Sequence, residues 1–195
     1  FNSALQSDGW RDVYGILAIA TIFIMIPLSF LLTKKISEET SRVSDAASEN
    51  KRSSVNISPR MLTILLSVAG VGCCVAMSMP QVHIVAFCID LGYGPAVGAE
   101  MLSLMLIGGI ISRLINGLLA DKLGGVYTLL IGSTLQCIAL FLYLPFDGLV
   151  SLYIVSAVFG LSQGGIVPSY AIIIREYLPG EEAGTRVGFV MMCTI

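Results

Sequence analysis

The chain has 195 residues, of which 55% are apolar and only 12% are charged, whereas a soluble domain carries about 25% charged residues. This composition excludes an ordinary soluble domain and indicates a protein that lies in a membrane. The net charge of −2 argues against nucleic acid as a partner, because no basic face is available to neutralise phosphates.

The first predicted element is residues 13–33, a segment without Asp, Glu, Lys or Arg. About 20 residues at ~1.5 Å each suffice to cross a bilayer. We therefore interpret residues 1–33 as the end of a periplasmic loop followed by a transmembrane helix. The chain starts at Phe1 without a signal-peptide pattern, so we expect a fragment of a longer polytopic protein.

Residues 34–58 are predicted to be a cytoplasmic linker between two helical bundles. The segment is rich in serine and carries both signs of charge, and without apolar periodicity it cannot bury a core. At its end, Ser58 and Pro59 form a helix N-cap followed by proline at the first helical position. This pair predicts the start of the next helix.

The remaining residues, 59–195, are predicted to form an all-α transmembrane bundle. Short connections that contain Gly, Pro and Asp are typical of tight helical hairpins. The expected helices lie at about 60–88, 97–120, 124–146, 148–174 and 185–195, and the last is cut off by the end of the chain.

The basic residues predict the orientation of the bundle. With alternating spans, every Lys and Arg except Arg11 and Arg113 falls on one side of the membrane. The positive-inside rule identifies that side as the cytoplasm. We therefore expect an integral membrane protein with the linker and the Asp121-Lys122 loop in the cytoplasm.

Arg113 is the only charged residue in the apolar segment 101–120. A charge near mid-membrane costs about 2.5–3.5 kcal/mol, so it is kept where it faces protein or a water-filled cavity. Gly109 and Asn116, one helical turn away, give it a small and partly polar stripe. A guanidinium there is suited to a carboxylate ligand. Snorkelling to the headgroups and a purely structural pair remain alternatives.

Two other spans offer polar candidates for substrate contact. His83 follows Pro80, which should kink the helix, and a histidine side chain there could carry a transported proton. Gln163 and Tyr170 share a helix face in the glycine-rich stretch 160–170, as in transporter sites with broken helices. A packing histidine and a close helix crossing are the respective alternatives.

Residues 117–125, GLLADKLGG, closely resemble the loop signature of the major facilitator superfamily, in the copy between helices eight and nine. The arginine four residues before Gly117 resembles the monocarboxylate transporter and oxalate/formate antiporter branch, of which the bacterial members are the nearer match. Gly9-Trp10-Arg11 and the stretch 175–188 resemble the segments before helices six and eleven. The resemblance implies part of the C-terminal half of that fold, helices six to ten and the start of eleven, in a bacterial inner membrane.

The sequence departs from the family pattern at one position that bears on proton coupling. Animal monocarboxylate transporters have an acidic residue one turn before this arginine, whereas this chain has Gly109. Coupling through an arginine–aspartate pair in helix eight is therefore not implied for this chain.

The resemblance implies secondary active transport of a small organic anion, a mono- or dicarboxylate, by alternating access. The partners would be the bilayer, the N-terminal bundle of the same protein and a coupled proton or counter-anion, with no cofactor and no metal. The expected substrate-binding residues are Arg113, on which the resemblance and the residue pattern agree, and Asn116, His83, Gln163 and Tyr170, which the residue pattern alone indicates. The implied gating residues are Gly117, Asp121, Lys122, Gly124, Glu176 and Arg186.

Asp121 would latch the hinge between the helices in one conformational state. Its partner would be the start of helix eleven, where Arg186 lies, or Glu176. A carboxylate at a helix N-terminus is stabilised by the helix dipole. An ordinary solvated loop charge is the alternative.

Two other functions stay open: a transporter of neutral solutes or drugs, in which Arg113 pairs structurally, and a non-transporting membrane sensor. An enzyme is not expected, because the spans contain no HExxH, no paired carboxylates and no nucleophile with a base. The five cysteines lie in apolar spans without metal-ligand spacing.

Overall fold

The structure is a computed structural model that describes residues 2–31, 46, 49, 57–178 and 180–194. It divides into two compact units, Phe1–Val43 and Ser44–Ile195. Most of the predicted linker, residues 34–58, lies outside the described residues. Its role therefore stays a prediction.

The first unit contains helix α1, Asn2–Leu31. Its segment Arg11–Phe30 is long and apolar enough to cross a membrane. The large apolar side chains along this segment, among them Phe23 and Phe30, are exposed. Such a surface is stable in lipid, where no water has to be ordered around it.

In its described residues the second unit consists of helices joined by turns and loops, without a strand, which confirms the prediction of an all-α helical bundle. Its elements are α2 (Pro59–Asp90), α3 (Pro95–Leu123), α4 (Gly125–Leu142), α5 (Leu149–Gln163), α6 (Ile166–Tyr177) and α7 (Gly180–Cys193). Helices α2, α3 and α4 each have the length and apolar character of a membrane span, and α5 and α6 together form one more, Leu149–Tyr177. The chain is an integral membrane protein.

The start of α2 confirms the capping signal. Ser58 Oγ accepts a hydrogen bond from the backbone N–H of Met61 at 3.3 Å, and Pro59 occupies the first helical position. Proline fits there because the first turn has no acceptor for its missing N–H.

Within the bundle, three features differ most from the expected helix boundaries. Helix α4 ends at Leu142 rather than near 146, because Pro145 restricts the residue before it to extended backbone. The span expected over 148–174 is divided after Gln163, where α5 ends, and α6 begins at Ile166. Helix α7 begins at Gly180, five residues early, and its sequence places two acidic residues in the first turn, where the helix dipole favours them.

Two apolar clusters form the core of the second unit. One contains Ile84, Cys88, Met101, Met105, Ala139, Leu152 and Phe159. The other contains Leu66, Ile166, Tyr170, Ile173, Ile174, Leu178, Ala183 and Val190. Along the helices, Gln81 and Gln163 fall between the two clusters. A polar layer therefore separates two apolar halves of the bundle.

Candidate functional site

Helices α3 and α5 cross with their backbones in direct contact. A Cβ atom added to Gly108 would lie 3.1 Å from the carbonyl carbon of Gly160, and one added to Gly160 would lie 2.5 Å from the carbonyl oxygen of Met105. Small residues at a crossing let two membrane helices gain van der Waals contact along their backbones. The crossing brings the centre of α3 beside the end of α5.

The break between α5 and α6 lies against the same part of α3. A Cβ on Gly164 would lie 2.6 Å from the backbone nitrogen of Arg113, and one on Gly165 would lie 2.7 Å from Oδ1 of Asn116. Glycine is required at both positions because α3 leaves no room for a side chain. The break is thus packed directly beside Arg113 and Asn116.

Ser112 supplies hydrogen bonds to the backbone around the break. Its Oγ donates to the carbonyl oxygen of Leu161 at 2.5 Å and accepts from the N–H of Gly164 at 3.2 Å. Nδ2 of Asn116 donates to both the carbonyl oxygen and Oγ of Ser112 at 2.9 Å. A helix break in a membrane is tolerated where neighbouring side chains satisfy the freed backbone groups. Here Ser112 of α3 satisfies two of them, the carbonyl oxygen of Leu161 and the N–H of Gly164.

Arg113 follows Ser112 in sequence and lies at the edge of this packed region. Its side chain is exposed, and it makes no hydrogen bond or ion pair with any residue that the structure describes. Because Cα–Cβ bonds tilt toward the N-terminus of a helix, the base of the side chain leans toward Gly109. The guanidinium is an available cation.

Two glutamines form the polar layer on the neighbouring helices. Nε2 of Gln81 donates to Oε1 of Gln163 at 2.6 Å, and Nε2 of Gln163 donates to the carbonyl oxygen of Met105 at 3.3 Å. Gln163 is only 6% exposed. A Cβ on Gly109 would lie 3.3 Å from Nε2 of Gln163. The pair therefore lies one turn of α3 from Arg113.

His83 and Tyr170 lie away from this group. His83 is exposed. Because it follows Gln81 by two residues on the same helix, it lies on the opposite side of α2. Tyr170 is fully buried in the apolar cluster of α6, and its hydroxyl has no hydrogen-bond partner among the described residues. The structure thus places Arg113, Asn116 and Gln163 together but not His83 and Tyr170. The assignment of all five to substrate binding stays a prediction.

The loop signature joins the end of α3 to the start of α4. Asp121 and Lys122 are exposed in the last turn of α3, and a Cβ on Gly117 would meet no atom within 4 Å. Gly124 has a φ of 83°, a left-handed conformation that glycine adopts without strain. A sharp turn between the two helices requires glycine there.

Glu176, at the end of α6, lies at the N-terminus of α4. Its Oε2 accepts a hydrogen bond from the N–H of Gly125 at 3.4 Å, and its Oε1 lies 3.4 Å from where a Cβ of Gly124 would be. A carboxylate at this position satisfies a free N–H and is stabilised by the helix dipole. Glu176 thus connects the last turn of α6 to the loop signature.

Arg186 connects the start of α7 to the start of α2. It forms an ion pair with Glu182 at 2.5 Å and donates to Oγ1 of Thr63 at 2.9 Å and to the carbonyl oxygen of Pro59 at 3.2 Å. Asp121 is not among its partners. The latch that pairs Asp121 with this region stays a prediction, as do the other gating roles.

No group of three or more His, Cys, Asp and Glu side chains in the described part of the chain has the geometry to hold a metal ion. Sequence reasoning missed Gln81 and Ser112, although each lies within two residues of His83 or Arg113. The available signals were an amide directly after Pro80 and a hydroxyl beside the arginine of the apolar span.

The fold and this site define a helical membrane protein with a polar layer beside a broken span. Residues 3–194 match the sequence model of the Major Facilitator Superfamily. The chain belongs to the Major Facilitator Superfamily, as the stretch 117–125 indicated.

Several curated proteins are similar to the chain. It is 28% identical over 116 residues to Monocarboxylate transporter 13 of Rattus norvegicus, a match that covers 58% of this chain and 27% of the rat protein. It is 27% identical over 113 residues to "Probable anion transporter 2, chloroplastic" of Oryza sativa subsp. japonica, covering 57% and 21%. It is 28% identical over 129 residues to MFS-type transporter opdF of Penicillium oxalicum, covering 66% and 30%. The match spans less than a third of each relative, and no solved structure matches the chain.

Proposed function

We propose that the full-length protein transports a small organic anion, a mono- or dicarboxylate, across a membrane by alternating access. In this mechanism two helical bundles rock about a site at their interface near mid-membrane. The chain supplies part of one bundle. The observation that carries the proposal is Arg113, an exposed cation within an apolar span that pairs with no described residue.

The chemistry of Arg113 favours an anion over a neutral solute. Its guanidinium presents a planar fork of donors that matches both oxygens of a carboxylate. Packing of α3 against Gly164 holds the base of the side chain in place, which reduces the ordering needed on binding. The printed names of two relatives, a monocarboxylate transporter and an anion transporter, agree with this choice.

The remaining residues have secondary roles in the proposal. Asn116 and Gln163 support the anion site from positions beside Arg113, and Tyr170 contributes in a conformation that exposes it. His83 carries a coupled proton, with a counter-anion as the alternative coupled solute. Asp121, Lys122 and Glu176 act at the cytoplasmic gate.

The proposed location is a bacterial inner membrane, with residues 34–58 and the loop signature in the cytoplasm. The distribution of Lys and Arg supports this orientation. The relatives named above come from an animal, a plant and a fungus, so a bacterial source stays a prediction.

Uptake of labelled carboxylates by the full-length protein in proteoliposomes tests the proposal. Arg113→Ala and Arg113→Lys should both abolish uptake, since lysine keeps the charge but loses the fork of donors. Arg60→Ala is the matched control, because Arg60 is an exposed arginine at the start of α2. Unchanged carboxylate uptake by either Arg113 variant would refute the anion site.

A further inference from the structure

The orientation of the Gln163 amide follows from its partner on α3. The carbonyl oxygen of Met105 is only an acceptor, so the nitrogen of Gln163 must face it, as the 3.3 Å contact shows. Oε1 of Gln163 therefore faces Gln81. Gln81 must in turn present its nitrogen, at 2.6 Å. One backbone carbonyl thus determines how both amides are turned.

Gln81 keeps hydrogen-bonding capacity that the bundle does not use. Its Oε1 and its second N–H make no hydrogen bond with any residue in the described part of the chain, and the side chain is only partly buried. Gln163, at 6% exposed, is held on both sides. Packing between helices accounts for both hydrogen bonds of Gln163. It gives no role to the unused oxygen and N–H of Gln81.

Through its bond to Gln163, Gln81 is connected to the turn of α3 that precedes the cation. Nε2 of Gln163 lies 3.3 Å from where a Cβ of Gly109 would be, and Gly109 is one helical turn before Arg113. The side chain of Arg113 starts out toward this turn, since Cα–Cβ bonds tilt toward the helix N-terminus. If an anion bound to Arg113 extends toward Gly109, its uncharged end points toward the pair of glutamines.

We propose that Gln81 is a ligand-binding residue of this anion site, with Gln163 as its positioning residue, and that it selects carboxylates that also carry a hydroxyl. A hydroxyl both donates and accepts, so it matches the free oxygen and the free N–H of Gln81. A second carboxylate group only accepts hydrogen bonds, so the amide oxygen of Gln81 would repel it. This inference rests on the proposed transport of anions.

The test compares uptake of glycolate and acetate, two acids that differ by one hydroxyl, by the full-length protein in proteoliposomes. The native protein should prefer glycolate by about tenfold, the size of one or two hydrogen bonds. Gln81→Leu and the isosteric Gln81→Glu should reduce this ratio to near one, and Gln163→Leu should reduce it too, because the amide of Gln81 loses its orientation. A ratio is used because misfolded protein lowers both uptakes equally.

Gln136→Leu is the matched control. Gln136 is also a buried glutamine that binds α2, through the carbonyl oxygen of Cys73 at 3.3 Å, so its loss should leave the ratio unchanged. A glycolate preference that survives in the Gln81 variants, or that is absent from the native protein, overturns the inference. Arg113→Lys in the same assay separates the two proposals. If it leaves both uptakes intact, the anion site itself is wrong.

Discussion

Ser112 and Gly164 join two helices at the point where one of them is broken. The N–H of Gly164 donates to Oγ of Ser112 at 3.2 Å, and the same hydroxyl donates to the carbonyl oxygen of Leu161 at 2.5 Å. One side chain of α3 thus serves both a donor and an acceptor of the interrupted span. The position of Arg113, the next residue, is tied to the break by this contact.

Ser112→Ala should destabilise the full-length protein by about 1–3 kcal/mol, because the N–H of Gly164 and the carbonyl oxygen of Leu161 lose their partner at the helix break. The thermal unfolding temperature in detergent measures the effect. Ser103→Ala is the control, since the hydroxyl of Ser103 is exposed and bonds only within its own helix, to Ala99. Equal unfolding temperatures for the two variants would contradict the role of Ser112.

Gly160→Ala should also destabilise the bundle, through steric conflict rather than through a lost hydrogen bond. The new methyl group would lie 2.5 Å from the carbonyl oxygen of Met105, and separating the two helices costs about 1–3 kcal/mol. In Gly72→Ala the methyl group meets nothing within 4 Å, so this variant should be as stable as the native protein or more so. Thermal unfolding of both variants checks the contrast.

Glu176→Gln should lower stability by about 0.3–1 kcal/mol at low salt, because the negative charge at the start of α4 is lost. The loss should shrink as salt is added, since salt screens the charge. Asp90→Asn is the control and should raise stability, because Asp90 is the last residue of α2 and its negative charge lies at the negative end of the helix dipole. A loss of stability from Glu176→Gln that does not depend on salt would argue against the dipole contribution.

Asp121→Asn should change the rate of transport much more than the affinity for substrate. Asp121 is exposed at the end of α3, eight residues from Arg113, and the proposed latch acts on the conformational change and not on the ligand. Transport rate and KM in proteoliposomes separate the two effects. A raised KM with an unchanged rate would exclude the latch.

The transmembrane segments could be located without a structure because hydropathy is a property of consecutive residues. A run such as 124–142 is apolar whatever its neighbours are, and about 20 such residues form a helix in lipid since backbone groups there must bond internally. The N-cap at Ser58 and the turn at Gly124 were equally readable. Both depend on side chains within a few residues of each other.

The candidate site was readable only in part. Arg113 stood out because a charge in an apolar span is rare and costly. Asn116 lies one turn away on the same helix, so helical spacing predicted its proximity. The pairing of Gln81 with Gln163 spans 82 residues, and the contact of Ser112 with Leu161 spans 49. Contacts between residues so far apart in the sequence leave no local pattern from which they could be predicted.

The amino-acid order alone was enough to establish a membrane protein, its spans, its loop signature and the place of its unusual cation. The packing of the bundle decided which polar side chains meet, that α5 and α6 are separate helices, and that Tyr170 lies in the apolar core while Gln81 keeps unused hydrogen-bonding groups. The physical reason is that a span is defined by burial along one helix. A contact between helices depends on how each is rotated and shifted against its neighbours, which distant glycines and hydrogen bonds determine together.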